Sequence, residues 1–110
     1  MSVSPVGYMN SLNVIQNYSS SNPEKLIIID FYSRFCAPCK QLQPRLEELA
    51  TTYSNIKFYK TDVDDELSDD LVKEFNIVKL PTLIYYKNKQ VVGQTIGANV
   101  SIITSTILSI

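Results

Sequence analysis

The chain moves between two hydrophobic rhythms, and each change of rhythm marks an element. Leu26-Ile27-Ile28-Ile29-Asp30-Phe31-Tyr32 is a nearly continuous, β-branched apolar run, the pattern of a strand covered on both faces. Asp30 is its one interruption. From residue 36 to residue 53 the spacing turns helical, with Leu42, Leu46, Leu49, Ala50 and Tyr53 on one stripe. Pro44 inside that stretch predicts a kink, because it has no N–H and crowds the carbonyl of Lys40. Residues 56–63 read as a second strand, and the order strand, helix, strand predicts a right-handed parallel crossover. Asp64 is placed to cap a helix with Leu67, Leu71, Val72 and Phe75 as its apolar positions and Asn76 near its end. Pro81 opens a strand over residues 82–86, and the polar Lys87-Asn88-Lys89-Gln90 joins it to residues 91–96 as a hairpin. Asn99 is placed to cap a last helix with Val100, Ile103, Ile107 and Ile110 on its buried stripe.

The start of the chain is less patterned. Residues 1–9 read as a loosely ordered lead-in, with a short strand or turn at its end, followed by a weak helix over residues 11–18. Ser19-Ser20-Ser21-Asn22-Pro23 reads as a breaker, since small polar side chains compete for the backbone and the proline disfavours a helical Asn22. The elements together predict an α/β fold: a three-layer sandwich with a central mixed β-sheet and helices on both faces.

Length and composition narrow the picture. At 110 residues the chain has room for one compact domain, expected to span residues 1–110. Hydrophobic residues at 45% and charged residues at 19% supply a packed core and exclude a largely disordered chain. Net charge is −1 with no basic stripe, so neither nucleic acid nor an anionic membrane is expected as a partner. The six acids between Asp62 and Asp70 suit the positive end of a helix dipole, which makes a solvated helix start the expected reading. No secretory signal or membrane-spanning run is evident, and a soluble cytoplasmic monomer is expected. Asn17-Tyr18-Ser19 and Asn99-Val100-Ser101 match the glycosylation pattern and, without a secretory signal, are read as chance.

Chemistry enters with the two cysteines, Cys36 and Cys39, which follow the apolar strand and are separated by two residues. That spacing lets the sulfurs meet across one helical turn, so the pair can close to a disulfide or open to a dithiol. The absence of histidine excludes imidazole acid–base chemistry and Cys–His nucleophile pairs. An inert disulfide and half of a metal site are the competing readings, the latter needing further ligands from carboxylates or a second chain. A carboxylate inside an apolar strand costs free energy unless it is paired or kept neutral, so a raised pKa is expected for Asp30. A strand-end acid reaching solvent is the alternative.

The run from Asp30 through Cys36-Ala37-Pro38-Cys39-Lys40, followed later by Leu80-Pro81-Thr82, Gly93 and Gly97, resembles thioredoxin, and the resemblance covers nearly everything from residue 10 onward. It implies the thioredoxin fold and a protein-disulfide reductase. In that reading Cys36, at a helix N-terminus, is the nucleophile that attacks a substrate disulfide, and Cys39 resolves the mixed disulfide. The resemblance makes Asp30 the base for Cys39 and Lys60 a neighbour that tunes its charge, an ordinary exposed lysine being the alternative. It makes Pro81 a cis-proline facing the cysteines, with the Leu80 backbone free to bond a substrate strand. Gly93 and Gly97 would let a bound chain approach, a bulge and a turn being the plainer account of them. Pro38 restrains the turn between the sulfurs. No bound cofactor is implied; electrons come from NADPH through a thioredoxin reductase, and the partners are protein disulfides.

Two positions depart from the family. Phe35 stands where tryptophan is usual and Ala37 where glycine is usual, which puts partner choice beside Cys36 in question. Neither brings a histidine beside the nucleophile, so a reducing role is expected rather than an oxidase or isomerase role. A thioredoxin-fold binding module with incidental redox chemistry is a further alternative, and a glutaredoxin a more distant one.

Overall fold

The computed structural model describes residues 3–110. Five strands form one sheet: β1 (Val6–Tyr8), β2 (Ile27–Tyr32), β3 (Lys57–Asp62), β4 (Thr82–Lys87) and β5 (Gln90–Ile96), in the spatial order β1-β3-β2-β4-β5. β1 and β2 both run parallel to β3, whereas β4 is antiparallel to β2 and to β5. The helices are α1 (Leu12–Ser21), α2 (Ala37–Thr52), α3 (Asp69–Glu74) and α4 (Val100–Ser109), with a 3-10 turn over Glu66–Ser68 before α3.

Strand alternation divides the core into two layers. Ile28, Phe58, Leu83 and Tyr85 pack on one face with Leu42, Leu46 and Ala50 of α2 and Ile103 and Ile107 of α4. Ile27, Ile29, Phe31, Tyr59, Ile84 and Tyr86 pack on the other with Ile15 of α1 and Leu71 of α3. The continuous apolar run of β2 follows directly, because a central strand covered on both sides has no solvent-facing positions. The fully buried aliphatic and phenylalanine side chains among them, such as Ile28, Phe31, Leu46 and Leu83, contribute about 1.5–3 kcal/mol each. The mixed sheet with helices on both faces is the architecture expected from sequence.

Several local expectations change. Met1 and Ser2 lie outside the described residues, Val3, Ser4 and Pro5 are exposed, and the lead-in is tied down from Val6 onward. Val6–Tyr8 is a strand, Val6 and Met9 are buried, and the Met9 N–H donates to the Lys60 carbonyl at 3.0 Å. Helix α1 runs through the serines. Ser19 is fully buried and accepts the Lys89 N–H at 2.8 Å, so its hydroxyl braces the β4–β5 turn instead of competing with the helix. That turn holds Asn88 and Lys89 at φ 52 and 62, the mirror-image geometry that matches strand twist in two-residue hairpins.

The cap of the acidic segment is Asp65 rather than Asp64: Asp65 accepts the Leu67 N–H at 3.0 Å, the Tyr8 hydroxyl at 2.6 Å and the Asn10 amide at 3.1 Å. These donors hold its carboxyl below the usual range, the Tyr8 bond foremost. Committed to that turn, the segment splits into the 3-10 turn and a six-residue α3, which leaves Leu67 exposed instead of in the core. At the C-terminus Asn99 caps α4 as expected, accepting the Ile102 N–H at 3.2 Å. Ile103 and Ile107 are buried, but Ile110 is exposed and does not extend their stripe.

Candidate active site

The site forms where β2 ends and α2 begins. Tyr32 closes the strand, and Ser33 turns the chain: it is buried, donates to the Asp64 carboxylate at 2.7 Å and accepts the Phe35 N–H at 3.2 Å. The Cys36 N–H reaches the Ser33 carbonyl at 3.2 Å. Thus Ser33 and Asp64, which the sequence reading gave no part in the site, fix the loop that delivers the cysteines. Their only sequence signal was a polar residue directly after a buried strand.

Cys36 is the N-cap of α2, in extended conformation, and its sulfur accepts the Cys39 N–H at 3.3 Å. One of the donors left free at a helix start therefore points at sulfur, an arrangement that stabilises negative charge there. Cys36 and Cys39 are joined as a disulfide with Cα atoms 5.3 Å apart. Cys36 is half-buried, whereas Cys39 is 1% exposed. Ala37 and Pro38 fill the first helical positions, where a proline loses no hydrogen bond. Phe35 is 83% exposed beside them, with the Arg34 guanidinium 5.7 Å from its ring centre. Among the described residues no group of three or more acidic, cysteine or histidine side chains is arranged to hold a metal.

Asp30 lies on the α2 face of the sheet with no solvent exposure. Its Oδ2 accepts from Gln43 Nε2 at 2.8 Å, and its Oδ1 has no partner among the described residues. The alternative of a strand-end acid reaching solvent is therefore discarded. Burial pushes the carboxyl up from 3.8 to about 7, against the lowering effects of the Gln43 bond and of the Lys60 charge. Lys60 is half-buried and sits directly across from Asp30 in the parallel β2–β3 register, so its influence comes through its field.

The remaining expected residues divide. Phe31 pairs with Thr82, so the start of β4 lies at the same end of the sheet as the cysteine loop. Leu80-Pro81 is a cis peptide there, and the Pro81 carbonyl accepts the Gly97 N–H at 2.8 Å, which brings Leu80, Pro81 and Gly97 to the site end. Gly97 has φ 103, a conformation that side-chain-bearing residues rarely adopt. Gly93 is not brought with them. It pairs with Tyr85 further down β5, beside an irregularity in the ladder, and packs near Ile110. Leu80 also lines a shallow apolar depression of about 260 Å³ with Val63, Val72, Ile77 and Val78. Val78 is 86% exposed, and the sequence reading passed over it because it lies in a loop without periodicity.

A mixed sheet, a disulfide-bonded cysteine pair at the start of α2 and a buried carboxylate bonded to the next turn of that helix together define an α/β protein of the thiol–disulfide class. The chain belongs to the thioredoxin family, whose sequence pattern matches residues 12–109. It is 35% identical over 102 residues to thioredoxin from Sus scrofa, covering 93% of this chain and 95% of that one. The solved structure of oxidised mitochondrial thioredoxin 3 from Saccharomyces cerevisiae superposes with a TM-score of 0.84 at 32% identity, covering 96% of this chain and 95% of that chain. A peptide-N(4)-(N-acetyl-beta-glucosaminyl)asparagine amidase from Caenorhabditis briggsae is 40% identical over 107 residues, 97% of this chain. The chain spans only 17% of that relative's length.

Proposed function

We propose that the protein is a disulfide reductase that acts on protein substrates. The observation that carries this reading is the graded exposure of the pair: a half-buried Cys36 and a buried Cys39, one helical turn before the Gln43 that bonds the buried Asp30 carboxylate. In the dithiol state the Cys36 thiolate attacks one sulfur of a substrate disulfide. A Cys36–substrate bond forms, the substrate S–S bond breaks, and one substrate sulfur leaves as thiolate. Asp30 takes the proton of Cys39, whose thiolate attacks Cys36 Sγ. The Cys36–Cys39 disulfide forms, the second substrate sulfur is released, and the proton passes on to the departing thiolate. The substrate gains two electrons and the pair loses them.

Lys60 tunes the base through its charge. The surface around Phe35, Ala37, Pro38, Leu80, Pro81 and Gly97 receives the substrate chain, and Gly93 contributes to β5 instead. Electrons return from NADPH through a thioredoxin reductase, with no cofactor held by this chain. The cytoplasm is the proposed compartment, since a reducing environment keeps such a pair as working dithiol. Among the described residues no helix is long and apolar enough to cross a membrane. In a mixture of the protein, a thioredoxin reductase, NADPH and a protein disulfide, NADPH consumption is expected to require all four. Consumption that persists without the substrate disulfide, or reduction that proceeds without this chain, refutes the assignment.

A second reading has one observation behind it: a chain of this kind also forms part of a much longer amidase. There it could serve to hold a partner, with redox chemistry incidental. Capture of a partner that survives replacement of both cysteines would support that reading over the first.

A further inference from the structure

Asp30 and Cys39 are both sealed from solvent, yet the resolving step needs a proton to pass between them in a defined direction. A carboxylate with two equivalent oxygens and free rotation would present either one. Here they are not equivalent, because Oδ2 is held by Gln43 Nε2 at 2.8 Å and Oδ1 has no partner among the described residues. Gln43 follows Cys39 by four residues, so the two side chains leave α2 on the same face, one turn apart. They line one pocket of about 350 Å³ together with Tyr32, Ser33, Arg34 and Lys40.

We propose that Gln43 is the positioning residue of the resolving step: it anchors Asp30 through Oδ2 and so keeps Oδ1 free to take the Cys39 proton. The proposal rests on the reading of Asp30 as the base for Cys39. A neutral amide donor suits this task. It favours the ionised carboxylate without closing the site with a salt bridge, and its length spans the gap from the helix to the strand.

The groups around Asp30 are few. Lys60 comes from β3, and α2 brings Gln43, one turn past Cys39. Tyr32 lies two residues along β2, its phenol pushed up by burial first and then by Asp62, Tyr8 and Asp30, with Arg34 opposing. The neighbour on β4 is the apolar Leu83, and α4 turns Ile103 and Ile107 to this face. No other donor on these elements reaches the Asp30 carboxylate, so the loss of Gln43 leaves both oxygens bare.

Gln43→Met keeps length and helix propensity while removing the donor. The test follows Asp30 by carboxyl-carbon NMR titration and the pH dependence of mixed-disulfide resolution by rapid mixing, with thermal melting as a check on folding. Losing a hydrogen bond to the charged form raises the Asp30 midpoint by about one unit, which lowers the resolving rate at pH 7 roughly fivefold and moves its rising limb to higher pH by the same amount. Gln43→Lys, which restores a donor, is expected to bring the limb back to the wild-type position or below it. In an Asp30→Asn background, Gln43→Met is expected to change nothing further.

If neither the titration nor the limb moves in Gln43→Met, the role of Gln43 is refuted and the base assignment stands. If the titration moves but the limb does not, it is the base assignment of Asp30 that fails. A Gln43→Met effect that persists in the Asp30→Asn background also overturns the proposal.

Discussion

Cys36→Ser lowers protein-disulfide reduction to background, whereas Cys39→Ser stops turnover after a single attack and accumulates substrate covalently on Cys36. The asymmetry is the point. Cys36 is the sulfur that solvent and substrate can reach, and it sits where an N–H and the helix start favour a thiolate. Removing it removes the attack itself. Cys39 is 1% exposed and attacks only Cys36 Sγ once that sulfur carries substrate, so its loss leaves the first step intact and abolishes the second. Mass spectrometry of acid-quenched mixtures should show a one-to-one adduct in Cys39→Ser that dithiothreitol releases, and none in Cys36→Ser. Equal adduct in both variants, or turnover in either, contradicts the assigned order.

The second large effect concerns stability and activity together. Asp30→Asn is expected to stabilise the fold at alkaline pH while slowing the reaction. The sign follows from proton counting. The carboxyl titrates near 3.8 in the unfolded chain and at about 7 in the folded one. Below pH 4 both states are protonated and the group has no influence. Between pH 4 and 7 the folded state must hold a proton that the unfolded state has released, so stability falls as pH rises. Above pH 7 both states are ionised, and the accumulated loss levels off on the order of 4 kcal/mol. Asparagine never ionises and escapes this loss.

Denaturant unfolding of the two proteins should therefore coincide near pH 4 and diverge by several kcal/mol near pH 8. A difference that does not vary with pH would show that the buried charge is not its origin. The kinetic cost falls on the resolving step: without the base the buried Cys39 thiol must give up its proton unaided, so resolution at pH 7 slows on the order of a hundredfold and recovers as pH rises.

The parts of the fold that could be read from sequence are those in which one physical requirement dominates a stretch of chain. A strand covered on both faces must be apolar throughout, and β2 is, except at Asp30. The exception was itself informative, because a lone carboxylate in such a run has no structural use. Asn99 was legible because a cap and the helix it starts are adjacent in sequence. The residues that escaped notice depend on partners distant in the chain. β1 is three residues long and is defined by pairing with β3, some fifty residues away. Ser19 looked like a helix breaker because the Lys89 N–H that satisfies it cannot be seen locally.

Gln43 lay within a polar stretch of α2 and had one available signal, its spacing from Cys39. That spacing means something only once Asp30 is known to face the same helix. Asp64 and Asp65 are neighbours with similar chemistry, and their roles were separated by Ser33 on one side and Tyr8 on the other. Gly93 and Gly97 read alike as glycines late in the chain; the strand register distinguishes them, placing Gly97 beside Pro81 and Gly93 beside Tyr85.

The reducing direction of the reaction is the central claim, and the redox potential of the Cys36–Cys39 pair tests it most directly. The nucleophile has no histidine beside it, so no imidazolium charge adds to what the helix start gives the thiolate and turns the disulfide into a strong oxidant. Equilibrated against buffers of known thiol–disulfide potential at pH 7, the pair is expected at about −270 mV, the region of thioredoxin itself. A value of about −180 mV or higher, in the range of disulfide isomerases and oxidases, would contradict the account.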